Sequence, residues 1–270
     1  MDQSRALPRG ALRHLRPQRW RAARRPRIWE ELLFIGVAYY LYSVIRNGVP
    51  TRAADAFANA YSVLSLERDL NLDVEPAFNT AMAGVRWLSF AAAAWYALMH
   101  FVVTIGVLVW LWRSHPLRYR AARSVLMITN LVALVGFWLY PLAPPRMLPG
   151  FVDTVARDHI WGEYASAGLA SASNQFAAMP SMHVGWSLWC GIVILSLTRR
   201  RWLRLAAGLY PTITLYVIIG TANHYVLDAV GGLAALACGL AAQRLRSGRP
   251  ALAPPVVLPT AVSRKIYDAA

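Results

Sequence analysis

The chain has 270 residues, 57% of them hydrophobic and only 15% charged. A water-soluble domain carries about 25% charged residues and interrupts its apolar runs more often, so this composition speaks against one and points to the membrane. Basic residues outnumber acidic ones 28 to 13, but they lie between apolar segments instead of gathering on one folded face, which argues against a nucleic-acid partner.

Residues 1–28 form an Arg-rich tail, with nine arginines up to Arg27. Six apolar segments follow, at 29–46, 87–112, 122–142, 182–198, 202–220 and 225–243, each near the roughly 20 residues a helix needs to cross the hydrocarbon core. Glu30 and Glu31 shorten the first. It reads as an anchor, because no small-residue cleavage pattern leading into a soluble domain comes after it. Within 54–83, Phe57, Tyr61 and Leu64 stand at helical spacing before LERDLNLDVEP. The pattern predicts amphipathic helices on the outer surface, either a lid over a site or a packed connector. A second long outer region, 143–180, runs from PLAPPRMLPG to MPSMH. Trp29, Trp87, Trp110, Trp112, Trp138 and Trp202 sit near span ends, as interface anchors do. Cys190 and Cys238 lie singly in apolar runs and read as small buried hydrophobes. The Pro-containing segment 244–270 reads as a flexible tail. The expected fold is therefore all-α: a polytopic membrane protein with a six-transmembrane-helix bundle over 29–243 and outer amphipathic helices.

Six spans put both termini on one side, and the arginines test that independently. Besides the nine of the N-terminal tail, Arg113, Arg118, Arg120 and Arg123 follow span two, and Arg199, Arg200, Arg201 and Arg204 follow span four. With Arg244, Arg246, Arg249, Arg264 and Lys265 at the end, 22 of the 28 basic residues share one face. The positive-inside rule makes that face cytoplasmic, and the expected location is the plasma membrane, with both termini in the cytoplasm.

The same topology gathers Arg146, His183, His224 and Asp228 at the opposite rim. Each has a plain structural explanation alone: a snorkelling arginine, a helix-capping histidine, an i,i+4 pair. Together they fit phosphoryl transfer. Asp228 lies one helical turn from His224, so the carboxylate can hold one ring nitrogen protonated and leave the other as a nucleophile. His183 then serves as acid and base. Arg146 offers a fork of donors to phosphate oxygens, and the helix start at Pro180, Ser181 and Met182 favours an anion.

PSMH at Pro180–His183 and HxxxD at His224–Asp228 resemble the second and third signatures of the type 2 phosphatidic acid phosphatase superfamily, PSGH and SRxxxxxHxxxD. The first signature, KxxxxxxRP, is reduced to PPRMLP around Arg146; its Lys falls at Leu139 and its Pro at Met147, and the third signature's Ser and Arg fall at Val217 and Ile218. APPRMLPGFVD, NQFAAMPSMHVGW and GTANHYVLD are more similar to the branch related to inositol phosphorylceramide synthase. The resemblance covers residues 29 to 243. It implies six helices, no cofactor and no metal, a phosphohistidine on His224, and His183 as acid/base. It also implies a phosphate held by Arg146, Ser181 and Met182, with Arg157, Asn174, Thr221 or Asn223 standing in for the lost cations. The implied substrate is a lipid phosphate met at the extracytoplasmic face, with water or an alcohol as acceptor. Two other readings share these residues: a His/His/Asp metal centre, in which Arg146 has no place, and a noncatalytic channel or scaffold. His100, inside span two, reads as an interhelical hydrogen-bonding residue.

Overall fold

The computed structural model describes residues 26–48, 52–157 and 174–253. Most of the Arg-rich tail and the end of the C-terminal one lie outside the described residues. Among the described residues all regular structure is helical, apart from one isolated bridge between Leu142 and Ala177. The α-helices are α1 (Ile28–Gly48), α2 (Ala53–Asp69), α3 (Glu75–Gly84), α4 (Arg86–Ser114), α5 (Pro116–Leu139), α6 (Thr154–Arg157), α7 (Met182–Leu197), α8 (Arg201–Gly220) and α9 (Val226–Ser247), with a 3₁₀ turn at Pro145–Met147.

Five of these helices, α1, α4, α5, α8 and α9, are long and apolar enough to cross a membrane, and the protein is a multi-pass membrane protein. The expected fourth span is the exception. Helix α7 has 16 residues, or about 24 Å at 1.5 Å per residue, less than the ~30 Å of a hydrocarbon core. It is cut short because Ser181 and Thr198, which flank it, are extended. Pro116 shifts the start of α5 to well before residue 122, since a proline fits the first helical turn where no N–H is needed.

The core forms where α5, α7 and α9 meet. Val125, Leu126, Trp189, Cys190, Val193 and Leu236 are buried together, and the Trp189 indole donates to the Ala122 carbonyl at 3.0 Å. Helix α8 contains Pro211, which cannot supply an N–H to the Ala207 carbonyl. Gly191 lets α7 approach that carbonyl: a Cβ there would lie 2.8 Å from the Ala207 oxygen. Cys238, unlike Cys190, is exposed. Trp29, Trp87, Trp138 and Trp202 are exposed near helix ends. Helix α1 exposes most of its length. It is pinned at its start by Glu31, which accepts from Tyr119 Oη at 2.9 Å and from the Arg123 guanidinium. At its end Arg46 and Asn174 exchange bonds of 3.1 and 3.2 Å through each other's carbonyls. Between these points the Tyr39 ring meets Phe101 edge-on at 6.1 Å.

Helices α2 and α3 are not simple surface amphipaths. The buried face of α2 is Ala56, Ala60, Val63, Leu64 and Glu67. It is rotated from the expected Phe57, Tyr61, Leu64 stripe, and Tyr61 is exposed. On α3, Asn79 is buried and donates to the carbonyls of Val152 at 3.0 Å and Gly220 at 2.9 Å, while accepting the Val152 N–H at 2.8 Å. The hairpin thus ties the 145–153 loop to the end of α8, as a packed connector does.

Candidate active site

All the loops that carry the expected site residues meet at one end of the bundle, where α4, α7 and α9 begin and α5 and α8 end. At the other end, the Arg246 guanidinium of α9 reaches Ser124 of α5 at 3.2 Å. The turn between α8 and α9 presents His224. Ala222 there has φ of 54°, a left-handed conformation costly for a residue with a Cβ. The Arg146 N–H fastens it, donating to the Ala222 carbonyl at 2.8 Å. Asn223 spends its amide on the Thr221 carbonyl and hydroxyl at 3.2 and 3.0 Å.

His224 sits in the middle of a chain of three ionisable groups. Its Nδ1 is 3.2 Å from Asp228 Oδ2, and its Nε2 is 3.3 Å from His183 Nδ1. Asp228 is fully buried, His224 is 5% exposed, and the same Asp228 oxygen accepts the Tyr225 N–H at 3.0 Å. With a carboxylate accepting at Nδ1, the Nδ1–H tautomer is favoured and Nε2 carries the lone pair toward His183. Ser181 links the two histidine-bearing helices through its backbone, donating its N–H to the Asp228 carbonyl at 2.9 Å. Its Oγ is buried with no partner. Gly232 permits this approach, because a Cβ there would overlap the Ser181 carbonyl.

Two aromatic rings fix the other side of His183. Tyr96 stacks on it with centroids 4.3 Å apart, and His100 meets it edge-on at 4.5 Å. The Nδ1 of His100 bonds the Tyr96 carbonyl at 3.0 Å, within its own helix and not between helices as its sequence context suggested. Met182 opens α7, where the first N–H groups have no intrahelical acceptor.

The arginines are placed less directly. Arg146 Nε is 3.5 Å from Asp153 Oδ2, and its backbone N–H holds the turn that carries His224. Arg157 donates to the Ala83 carbonyl and to Ser89 Oγ, and Asn174 holds Arg46 and the Phe176 N–H. Arg46, Tyr96, Glu67 and Glu75 were not read from sequence. For Glu67 a signal existed, since it continues the 56, 60, 63 stripe; for Arg46 none did, because its neighbourhood is built by residues more than a hundred positions away.

The geometry disfavours a facial metal triad, because both nitrogens of His224 are occupied by the other two members of the set. Among the described residues no group of three or more His, Cys, Asp or Glu side chains is arranged to hold a metal ion.

These features define a helical membrane protein with a buried His–His–Asp relay. The PAP2 superfamily profile matches residues 61–260, and the chain belongs to that superfamily, which makes it a phosphoesterase-type enzyme acting on a lipid phosphate. No curated protein and no solved structure matches it.

Proposed function

We propose that the protein is a lipid-phosphate phosphatase or phosphotransferase working through a phosphohistidine at the extracytoplasmic face of the plasma membrane. In this reading α7 completes the sixth crossing, and both termini are cytoplasmic beside the arginine-rich loops. The observation that carries it is the position of His224, held between Asp228 and His183 at 3.2 and 3.3 Å.

The His224 Nε2 lone pair attacks phosphorus and forms a P–N bond as the P–O bond to the leaving group breaks. Protonated His183 gives its Nδ1 proton to the departing oxygen. In the second half His183 takes a proton from water or an alcohol, whose oxygen attacks phosphorus and breaks the P–N bond. Asp228 keeps the His224 ring oriented and stabilises its positive charge in the phosphoenzyme. Nothing fits between two nitrogens 3.3 Å apart, so substrate must part the rings by about 3 Å to give each nitrogen the ~3 Å approach that reaction requires.

Arg146, Ser181 and Met182 receive the nonbridging oxygens, Arg146 through its guanidinium, Ser181 through its unpartnered hydroxyl and Met182 through its N–H at the start of α7. Support from Asn223, Asn174 and Arg157 is indirect, since each is engaged in the surrounding loops. Arg46 supplies the second positive charge that the reduced motifs lack. That reduction favours a specific alternative, the inositol phosphorylceramide synthase-like transfer of a phospho-alcohol headgroup to a lipid hydroxyl.

The test is purified protein given phosphatidate, polyprenyl pyrophosphate or phosphatidylinositol, with free phosphate and transferred product followed separately. His224→Ala and His183→Ala abolish turnover of the active substrate. Normal turnover by folded His224→Ala protein overturns the reading.

A further inference from the structure

The α2–α3 hairpin carries two carboxyl groups that this chemistry does not use. Glu67 and Glu75 have no exposed surface, and each reaches across the fold to the start of α9. Glu67 Oε1 accepts the Leu227 N–H at 2.7 Å, and Glu75 Oε1 accepts the Val226 N–H at 2.8 Å. These are the first two N–H groups of α9, donors without intrahelical acceptors at the positive end of the helix dipole. Asp228, one residue further, serves Tyr225 and His224. Three acids therefore surround one helical turn.

The opposite oxygens, Glu67 Oε2 and Glu75 Oε2, are buried and neither has a hydrogen-bond partner; the two carboxyl groups are brought together on consecutive N–H groups of one helical turn, where each acts on the other electrostatically. The charged groups acting on Glu67 are Glu75 and Asp228, both acidic. Two ionised carboxylates in that position would repel with both orphan oxygens unsatisfied. A single proton between them removes the repulsion and satisfies both oxygens.

We propose that Glu67 and Glu75 share one proton and are positioning residues for the phosphoryl-transfer reaction, holding the first turn of α9 so that Asp228 stays on His224; this rests on the proposed function. Burial, the largest effect, and the acidic neighbours push Glu67 from its ordinary 4.5 up to about 8, so the proton is in place at neutral pH. Glu75 of α3 faces it, as do Asp228 and Tyr225 at the start of α9, with Tyr61 of α2 beside them. A carboxyl raised in the folded state contributes its stability in full below the unfolded value and loses it as pH rises through the folded one. The sensitive window is therefore 4.5 to about 8.

Glutamine replacements separate a shared proton from two independent anions. In Glu67→Gln the amide N–H takes the proton's place against Glu75, while the amide oxygen still accepts from Leu227. In the double variant Glu67→Gln/Glu75→Gln, two NH₂ groups face each other with no acceptor. Full-length protein in detergent is unfolded thermally from about pH 4.5 to about pH 9, followed by tryptophan fluorescence, with kcat and KM for phosphatidate measured over the same range. Wild-type Tm and kcat fall with rising pH while KM holds. Glu67→Gln matches the wild type at the acidic end and keeps most of both at the alkaline end. The double variant loses more Tm than the two single variants together and about tenfold in kcat throughout. A wild-type pH dependence in Glu67→Gln, or a double variant whose Tm loss equals the sum of the singles, overturns the proposal. Absence of wild-type turnover counts against the proposed substrate class, and the Tm pattern still decides the pair.

Discussion

Replacing Gly232 by alanine tests whether the contact between α7 and α9 sets the distance between the two histidines. The new Cβ would overlap the Ser181 carbonyl oxygen and would lie 3.2 Å from the Ser181 carbonyl carbon and 3.3 Å from the Gly185 nitrogen. All three are backbone atoms, so no rotamer change relieves the clash. Ser181 and α9 must separate by about 1 Å, at an overpacking cost of about 1–3 kcal/mol. His183 and His224 sit two residues from Ser181 and eight from Gly232, so the same displacement moves the two histidines relative to each other and adds to the opening that substrate itself requires. A misplacement of about 1 Å costs about 100-fold in rate. The assay is phosphate release from the active lipid, paired with thermal unfolding. Gly208→Ala is the control, because nothing lies within 4 Å of a Cβ there, and it leaves turnover unchanged. Wild-type turnover in folded Gly232→Ala protein would refute the reasoning that close helix contact sets the catalytic distance.

Three further outcomes follow from the same geometry. Asp228→Asn leaves an oxygen for the Tyr225 N–H and the His224 ring but removes the charge, so kcat falls about 10⁴-fold and phosphoenzyme trapped by rapid acid quench forms correspondingly slowly. Asn79→Ala removes three hydrogen bonds, the one to Gly220 buried and the two to Val152 partly so, at about 1 kcal/mol each, lowering Tm by about 6–12 °C in a fluorescence melt. EDTA leaves phosphate release unchanged; loss of activity that added metal restores would revive the metal-centre reading.

Span positions and the histidine motifs were legible because they are local. Apolar length marks a helix, and the spacing of four residues brings Asp228 to His224, although His224 lies in the turn before α9 and not on the helix itself, so the pairing rests on the turn and not on helical periodicity. Long-range choices left no such trace. The length of α7 is decided by where its flanking residues turn extended. The partners of Glu67 and Glu75 lie 160 and 151 residues away, and acidic residues in LERDLNLDVEP look like a solvated face until the fold puts helix N–H groups against them. His100 shows the opposite case: its ring is next to His183, yet its hydrogen bond is an ordinary backbone one from its own preceding turn.

The attachment of α1 at its two ends has a mechanical consequence. Releasing either end means breaking the Glu31 contacts to Arg123 and Tyr119 or the Arg46–Asn174 exchange. The middle holds by ring edges such as Tyr39 against Phe101, and Phe101 adjoins His100 and through it His183. Parting α1 from α4 between its two fastened ends therefore costs dispersion contacts only, without the loss of an ion pair or a hydrogen bond.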